Sequence, residues 1–159
     1  MLHKDMTAPL TRLEQLARYA QAFNQSQTVA FFGTRVSFPD ELTARVDLDP
    51  VLPHHLGGMG TDAVNGGVLA ALFDLAIGVT AALVDPTRRS ATAQLSVSFM
   101  RAVRGARFHI IATTARQGEV LTFSTARLFD SSGVECAMAS GLVRLSKQKW
   151  LDGESPRIN

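Results

Sequence analysis

The stretch "AVNGGVLAALFDLAIGVTAALV", residues 63–84, decides the fold. From about Gly67 to Val84 it reads as one helix, stopped by Asp85-Pro86. A helix apolar on all sides must be surrounded by protein or by lipid. A membrane span would place Asp74 near the bilayer centre, at a cost of about 2.5–3.5 kcal/mol, and the only cationic flank after it is "DPTRR". The rest of the chain alternates like a sheet in water, so the helix is expected to be the core of a protein that does not enter a membrane. An acid in the middle of such a helix needs either a partner or a task.

Upstream, "PLTRLEQLARYAQAFN" (9–24) spaces Leu10, Leu13, Leu16, Ala17, Ala20 and Phe23 at three- and four-residue steps, the period of an amphipathic helix. "VAFFGTRVSF", the turn signal Pro39-Asp40, and "ELTARVDLD", alternating Leu42, Ala44, Val46 and Leu48, predict a hairpin of two short strands. Residues 50–66, with two prolines and four glycines, predict a loop of the irregular kind that often carries function. Downstream, "ATAQLSVSFM", "ARFHIIATTAR", "VLTFSTARLFD" and "VECAMASGLVRL" alternate as strands. The turns "RAVRG", "QGE" and "SSG" between them are short enough that neighbours should pair antiparallel. The tail "SKQKWLDGESPRIN" reads as loose. The expectation is one α+β domain over 1–159, with its core at about 30–146. An antiparallel sheet of about six strands wraps around one long buried helix, with an extra helix at the N-terminus. Such a sheet covers only one face of the helix, and a second copy of the chain is the simplest cover for the other.

Composition narrows the classes. With 46% hydrophobic and 19% charged residues among 159, the chain can bury a real core. The net charge is only +2 and no run of like charges exceeds Arg88-Arg89, which argues against nucleic acid as a partner. The single cysteine, Cys136, lies in an apolar alternating stretch and reads as a buried thiol, excluding a disulfide framework within the chain. No signal-like apolar core opens the sequence, so the expected location is cytoplasmic. The adjacent His54 and His55 have no spaced His, Cys or carboxylate set around them, so no metal is expected.

The motif "VNGGVLAALFDLAIGVTAAL" followed by "TAQLSVSFMRAVRG" resembles the hotdog-fold acyl-coenzyme A thioesterases of the phenylacetic-acid-degradation (PaaI-like) type. That family typically shows His-Gly-Gly, a carboxylate seven residues after the second Gly, then a strand ending in Phe with an Arg shortly beyond. Here Gly66-Gly67, Asp74, Phe99 and Arg101 match, and Ala102 stands where the family has Pro. The resemblance implies a hotdog fold, with Asp74 as catalytic carboxylate and the Gly66 backbone N–H as oxyanion donor. Thr92 falls where some relatives hold the attacking water. It also implies that Arg101 meets coenzyme A phosphates, while glycine at 66 and 67 leaves no side chain to keep a substrate away. The family's His is Asn65 here, and an amide some members carry before the first Gly falls at Met59. His54, His55 and Asn65 are the polar side chains on hand to replace those functions, with His55 and Met59 expected on the substrate side.

Thioester hydrolysis needs an activated water and a place for negative charge on the carbonyl oxygen. A carboxylate desolvated in an apolar helix can act as general base near neutral pH, or attack directly and form an anhydride. The start of a helix presents unpaired N–H groups to an oxyanion. The alternative for Asp74 is a structural acid paired with an arginine. The expected function is therefore an acyl-coenzyme A thioesterase without metal or bound cofactor, working as a homodimer or a dimer of dimers. The alternative is a non-catalytic acyl-coenzyme A binder on the same fold. A hotdog enoyl hydratase would need a His shortly beyond the acid, and "DLAIGVTAAL" has none.

Overall fold

The computed structural model describes residues 8–149. Six antiparallel strands form one sheet in the order β1-β2-β4-β5-β6-β3, composed of Thr34–Ser37, Thr43–Leu48, Phe108–Gln117, Leu121–Asp130, Glu135–Lys149 and Arg88–Phe99 respectively. The sheet holds a central helix α3 (Gly66–Val79), which continues after a break at Thr80 into the short α4 (Ala81–Val84). This is the expected hotdog arrangement.

The alternation in the strands is the physical cause of the core. Ala44, Val46 and Leu48 of β2 are fully buried, and so are Ile110, Ala112, Leu128, Ala137 and Val143 on the neighbouring strands. They face Leu69, Leu72, Phe73, Ala76 and Ile77, which recur at helical spacing along α3. The expected hairpin is present as β1–β2, with Thr34 opposite Leu48. Its first half differs from expectation: "QTVAFF" is a helix, α2 (Gln27–Phe32), and the strand begins only at Thr34. Ser26 accepts from the Val29 N–H and caps the start, and Gly33 ends it at φ 64°. Two local caps thus override the strand propensity of Val29 and the Phe pair.

Three further differences matter. The β3–β4 connection does not make a hairpin. β3 crosses the sheet to pair with β6, while β4 lies between β2 and β5. The strand β6 runs on to Lys149, so "SKQK" is sheet and not tail, while Trp150 and the rest of the tail lie outside the described residues. The N-terminal helix α1 (Arg12–Phe23) starts at a capping box, Thr11 with Glu14, and buries Leu16 and Ala20, leaving Leu10 and Leu13 exposed. Its Arg12 guanidinium donates to the carbonyls of Ala82, Leu83 and Val84 at 3.1, 2.7 and 2.9 Å. This cation caps the α4 terminus, ties α1 to the core helix, and satisfies carbonyls that a helix end otherwise leaves open.

Candidate active site

The loop before α3 is held at both sides, which fixes the helix start. Asn65 N–H donates to the His55 carbonyl (2.8 Å), Val64 N–H to Val103 (2.9 Å), and Gly57 N–H to Ala63 (2.8 Å). Arg104 Nε reaches Asp62 at 2.7 Å, linking the loop to the β3–β4 connection. Nothing in the sequence signals that ion pair, because its members are 42 positions apart. Asn65 is the N-cap of α3, and its Oδ1 accepts from the Gly67 N–H at 2.7 Å. Asn65 is a residue type suited to capping. The Gly67 donor is therefore occupied, and the Gly66 N–H, with no hydrogen-bond partner among the described residues, is left pointing out of the helix start.

The helix is not covered on all sides by its own chain. Asn65, Gly66, Gly67 and Asp74 are exposed, and Ala70, Ala71 and Gly78 are half-buried. At three- and four-residue steps Gly67, Ala70, Ala71, Asp74 and Gly78 form one open stripe of small residues, interrupted by a single carboxylate. Asp74 makes no hydrogen bond or ion pair among the described residues, against the alternative of a paired structural acid. It is also not desolvated as expected. Among the described residues it faces outward.

Strand β3 runs beside this stripe, antiparallel to the helix. A Cβ on Gly66 would meet the Phe99 ring at 3.6 Å, and one on Gly78 would meet Thr92 Oγ1 at 3.3 Å. The small residues of the stripe let the strand's side chains approach the helix axis. A bulge between Thr92 and Gln94 reverses the strand's alternation. Ser90 and Thr92 turn inward before it, and Leu95 and Val97 turn inward after it, while Gln94, Ser96 and Ser98 face out. Strict alternation would put Thr92, Gln94, Ser96 and Ser98 on one face, and the bulge separates Thr92 from the other three. Thr92 stands alone on the helix side, one helical turn beyond Asp74. Ser90 Oγ adds a hydrogen bond to the Gly78 carbonyl at 3.3 Å.

Two expected substrate contacts are placed elsewhere. His55 is 1% exposed in the turn Pro53–His55, and its Nδ1 accepts from the Leu52 N–H at 2.9 Å. It braces the loop rather than lining an open site. Burial first, and then the charge of His54, push its pKa down, while the nearby Phe32 carbonyl opposes. Met59 stands fully exposed at the loop tip with φ 62°, touching none of the stripe. Arg101, just past the end of β3, is exposed and without an ion pair among the described residues; its N–H is held by the Cys136 carbonyl. The Cys136 thiol is buried, and its pKa is raised by desolvation and by Asp130. No group of three or more His, Cys, Asp or Glu suited to a metal occurs among the described residues.

Comparison with known proteins bears out the resemblance. The profile of the Thioesterase superfamily matches residues 62–137, from the helix start through β3 to the start of β6. Among solved structures, the Escherichia coli PaaI protein from the phenylacetic acid degradation operon is 16% identical, with a TM-score of 0.76 over 87% of this chain and 99% of that one. A Shewanella oneidensis protein related to the thioesterase superfamily is 20% identical, with a TM-score of 0.75 over 85% and 97%. A thioesterase from Haemophilus influenzae is 15% identical, with a TM-score of 0.72 over 87% and 92%. No curated protein matches the sequence.

Proposed function

Starting from a hotdog chain whose residues 62–137 match the thioesterase superfamily, we propose that it hydrolyses acyl-coenzyme A thioesters in sites shared between two copies of the chain. One observation carries this: among the described residues Asp74 is a carboxylate without a partner, on the open stripe of a helix whose first N–H, at Gly66, is also unbonded there. Two such stripes packed antiparallel cover each other's apolar surface and desolvate Asp74. They also set the Gly66 N–H of one copy against Asp74 of the other. The edge strand β3, unpaired on its outer side, is available to join the same pairing.

In the proposed reaction the thioester carbonyl oxygen points at the Gly66 N–H, whose helix-terminal dipole favours the negative charge that develops there. Asp74 takes a proton from water as the water oxygen bonds to the carbonyl carbon. The C–S bond then breaks, the sulfur leaves as thiolate and is reprotonated, and the products are a carboxylic acid and free coenzyme A. Direct attack by Asp74 through an anhydride gives the same products. In this reading Thr92 holds the water or the intermediate, Gly67 keeps the approach free of side chains, and Asn65 fixes the helix start. Arg101, at the Gly66 end of β3, offers a cation to the substrate's phosphates.

The experiment is a hydrolysis screen of the purified protein against short, medium, long and aromatic acyl-coenzyme A thioesters, repeated on the best substrate with Asp74→Asn. The expected result is turnover that the substitution lowers by at least ~10²-fold without loss of folding, because an amide cannot accept the water's proton. The engaged Asn65 side chain, which takes up one of the helix-start donors, favours the second reading of a non-catalytic acyl-coenzyme A binder. Binding of acyl-coenzyme A without hydrolysis of any thioester in the screen would select it.

A further inference from the structure

We propose that the cleft between the start of β3 and the end of β6 receives the nucleotide end of coenzyme A, an assignment that rests on the thioester substrate proposed above. The cleft is about 550 Å³ and is lined by Arg89, Ser90, Arg144, Ser146, Lys147 and Gln148 among others. An irregularity in the sheet creates it. Ser90 pairs with Leu145 but Arg88 pairs with Lys149, so two residues of β3 span four of β6 and the extra chain bows out. The bow is held rigid. Arg88 donates to the Ser146 and Leu145 carbonyls at 2.6 and 3.3 Å, the Gln148 N–H to Ser146 Oγ at 3.0 Å, and the Leu145 N–H to the Val120 carbonyl at 2.9 Å.

The cations left over are Arg89, Arg144 and Lys147. None has an ion pair among the described residues. Among the described residues, Asp85, four positions before Arg89, is engaged by the Thr87 N–H and hydroxyl, and Glu119 sits in the turn beside Val120 of the cleft lining. Among the described residues, three cations against one such acid leave a surplus of positive charge, which suits a ligand bearing several phosphate charges. A second cleft among the described residues, about 400 Å³ around Arg45, Asp47, Asp49, His109 and Asp130, does the opposite. Its Arg45 is spent on Asp47 at 2.6 Å, and its acids would repel an anion.

The basic cleft is also connected to the chemistry. Ser90 lines it and touches the Gly78 carbonyl, Thr92 lies over Gly78, and Gly78 is one turn, about 6 Å of rise, from Asp74. A carboxylate at one end, small and hydroxyl side chains between, and cations at the far end match the order of thioester, neutral pantetheine arm, and diphosphate with 3′-phosphate. In an antiparallel pair, the Arg101 end of one copy's β3 meets the Ser90 end of the other's, so both cationic regions address one substrate.

The test uses the full chain and a variant carrying Arg89→Gln, Arg144→Gln and Lys147→Gln. Binding of coenzyme A, 3′-phospho-ADP and 4′-phosphopantetheine is measured by calorimetry at low salt. The expected loss is ~10-fold or more for the first two ligands and under about 2-fold for the third. Unchanged binding of coenzyme A and 3′-phospho-ADP overturns the assignment, and so does an equal loss for all three ligands. In parallel, KM is compared for a coenzyme A thioester and its pantetheine counterpart, the variant raising only the former. Coenzyme A binding that is lost in the variant of a protein that hydrolyses no thioester would keep the subsite and remove the activity. Hydrolysis with unchanged KM in the variant would do the reverse. Should the triple variant misfold by circular dichroism, Arg144→Glu alone, at an exposed position, carries the same binding comparison.

Discussion

Co-assembling an Asp74→Ala chain with a Gly66→Val chain should restore activity that neither has alone. Gly66 and Asp74 are eight residues apart in one helix, which at 1.5 Å per residue is ~12 Å along the axis. A general base and an oxyanion donor must each lie about 3 Å from the reacting centre, so together they span ~6 Å at most. The lean of the Asp74 side chain toward the helix start recovers only part of the difference. Two antiparallel copies remove it. Valine at 66 is tolerable to the fold, because its Cβ would meet the Phe99 ring at 3.6 and 3.8 Å, ordinary contact distances. Each parent homodimer should fall by ~10²-fold or more, one lacking the base and the other having its donor blocked by bulk. In a purified heterodimer one site carries both lesions and the other neither, so about half of wild-type kcat returns, or about a quarter in a randomly assembled, unfractionated mixture. The assay is thioester hydrolysis by a doubly tagged, doubly purified heterodimer. A folded heterodimer as inactive as its parents would refute the shared site.

Gly141→Ala should destabilise the fold without touching the stripe, because the new Cβ would sit 2.6 Å from the Gln94 carbonyl oxygen and 2.9 Å from Ile77 Cγ2. Overpacking of this kind costs about 1–3 kcal/mol, which for a chain of this size lowers Tm by about 2–12 °C, and a Tm within about 1 °C of wild type in a calorimetric scan would contradict the packing. The buried His55 should make stability fall in acid. Its folded pKa lies below the ordinary 6.5, so below about pH 6.5 the unfolded chain binds the extra proton and stability is lost as pH falls toward the folded value. His55→Asn keeps an acceptor near the Leu52 N–H but does not titrate, so the slope of stability against pH between 7.5 and 5 should shrink, by at most about 1.4 kcal/mol per pH unit. An unchanged slope would remove His55 as its source.

Much of this architecture follows from local periodicity. The buried helix, four of the strands and the hairpin are set by which residues alternate and which recur every three or four positions, because one buried face must be apolar wherever it lies. Where a cap outweighed the pattern, as Ser26 and Gly33 do around α2, the strand expected there became a helix. The β3–β6 pairing was out of reach, because a strand's edge does not say which partner it meets. The bulge that turns Thr92 to the helix was equally hidden, since one unpaired residue reverses the alternation without changing the composition.

For the site, the order of residues alone puts an acid in an apolar helix eight positions after a glycine at the helix start. These are covalent facts, and helical rise turns them directly into distance. Tertiary packing leaves Asp74 facing outward and, among the described residues, without a partner, and it gives the Gly67 N–H to Asn65 while the Gly66 N–H has no partner among those residues. It alone also showed that His55 is a buried brace and that Arg89, Arg144 and Lys147 converge on one cleft. Exposure, pairing and convergence depend on which segments meet across the sheet, and that is fixed by packing between residues far apart in the chain rather than by any local pattern.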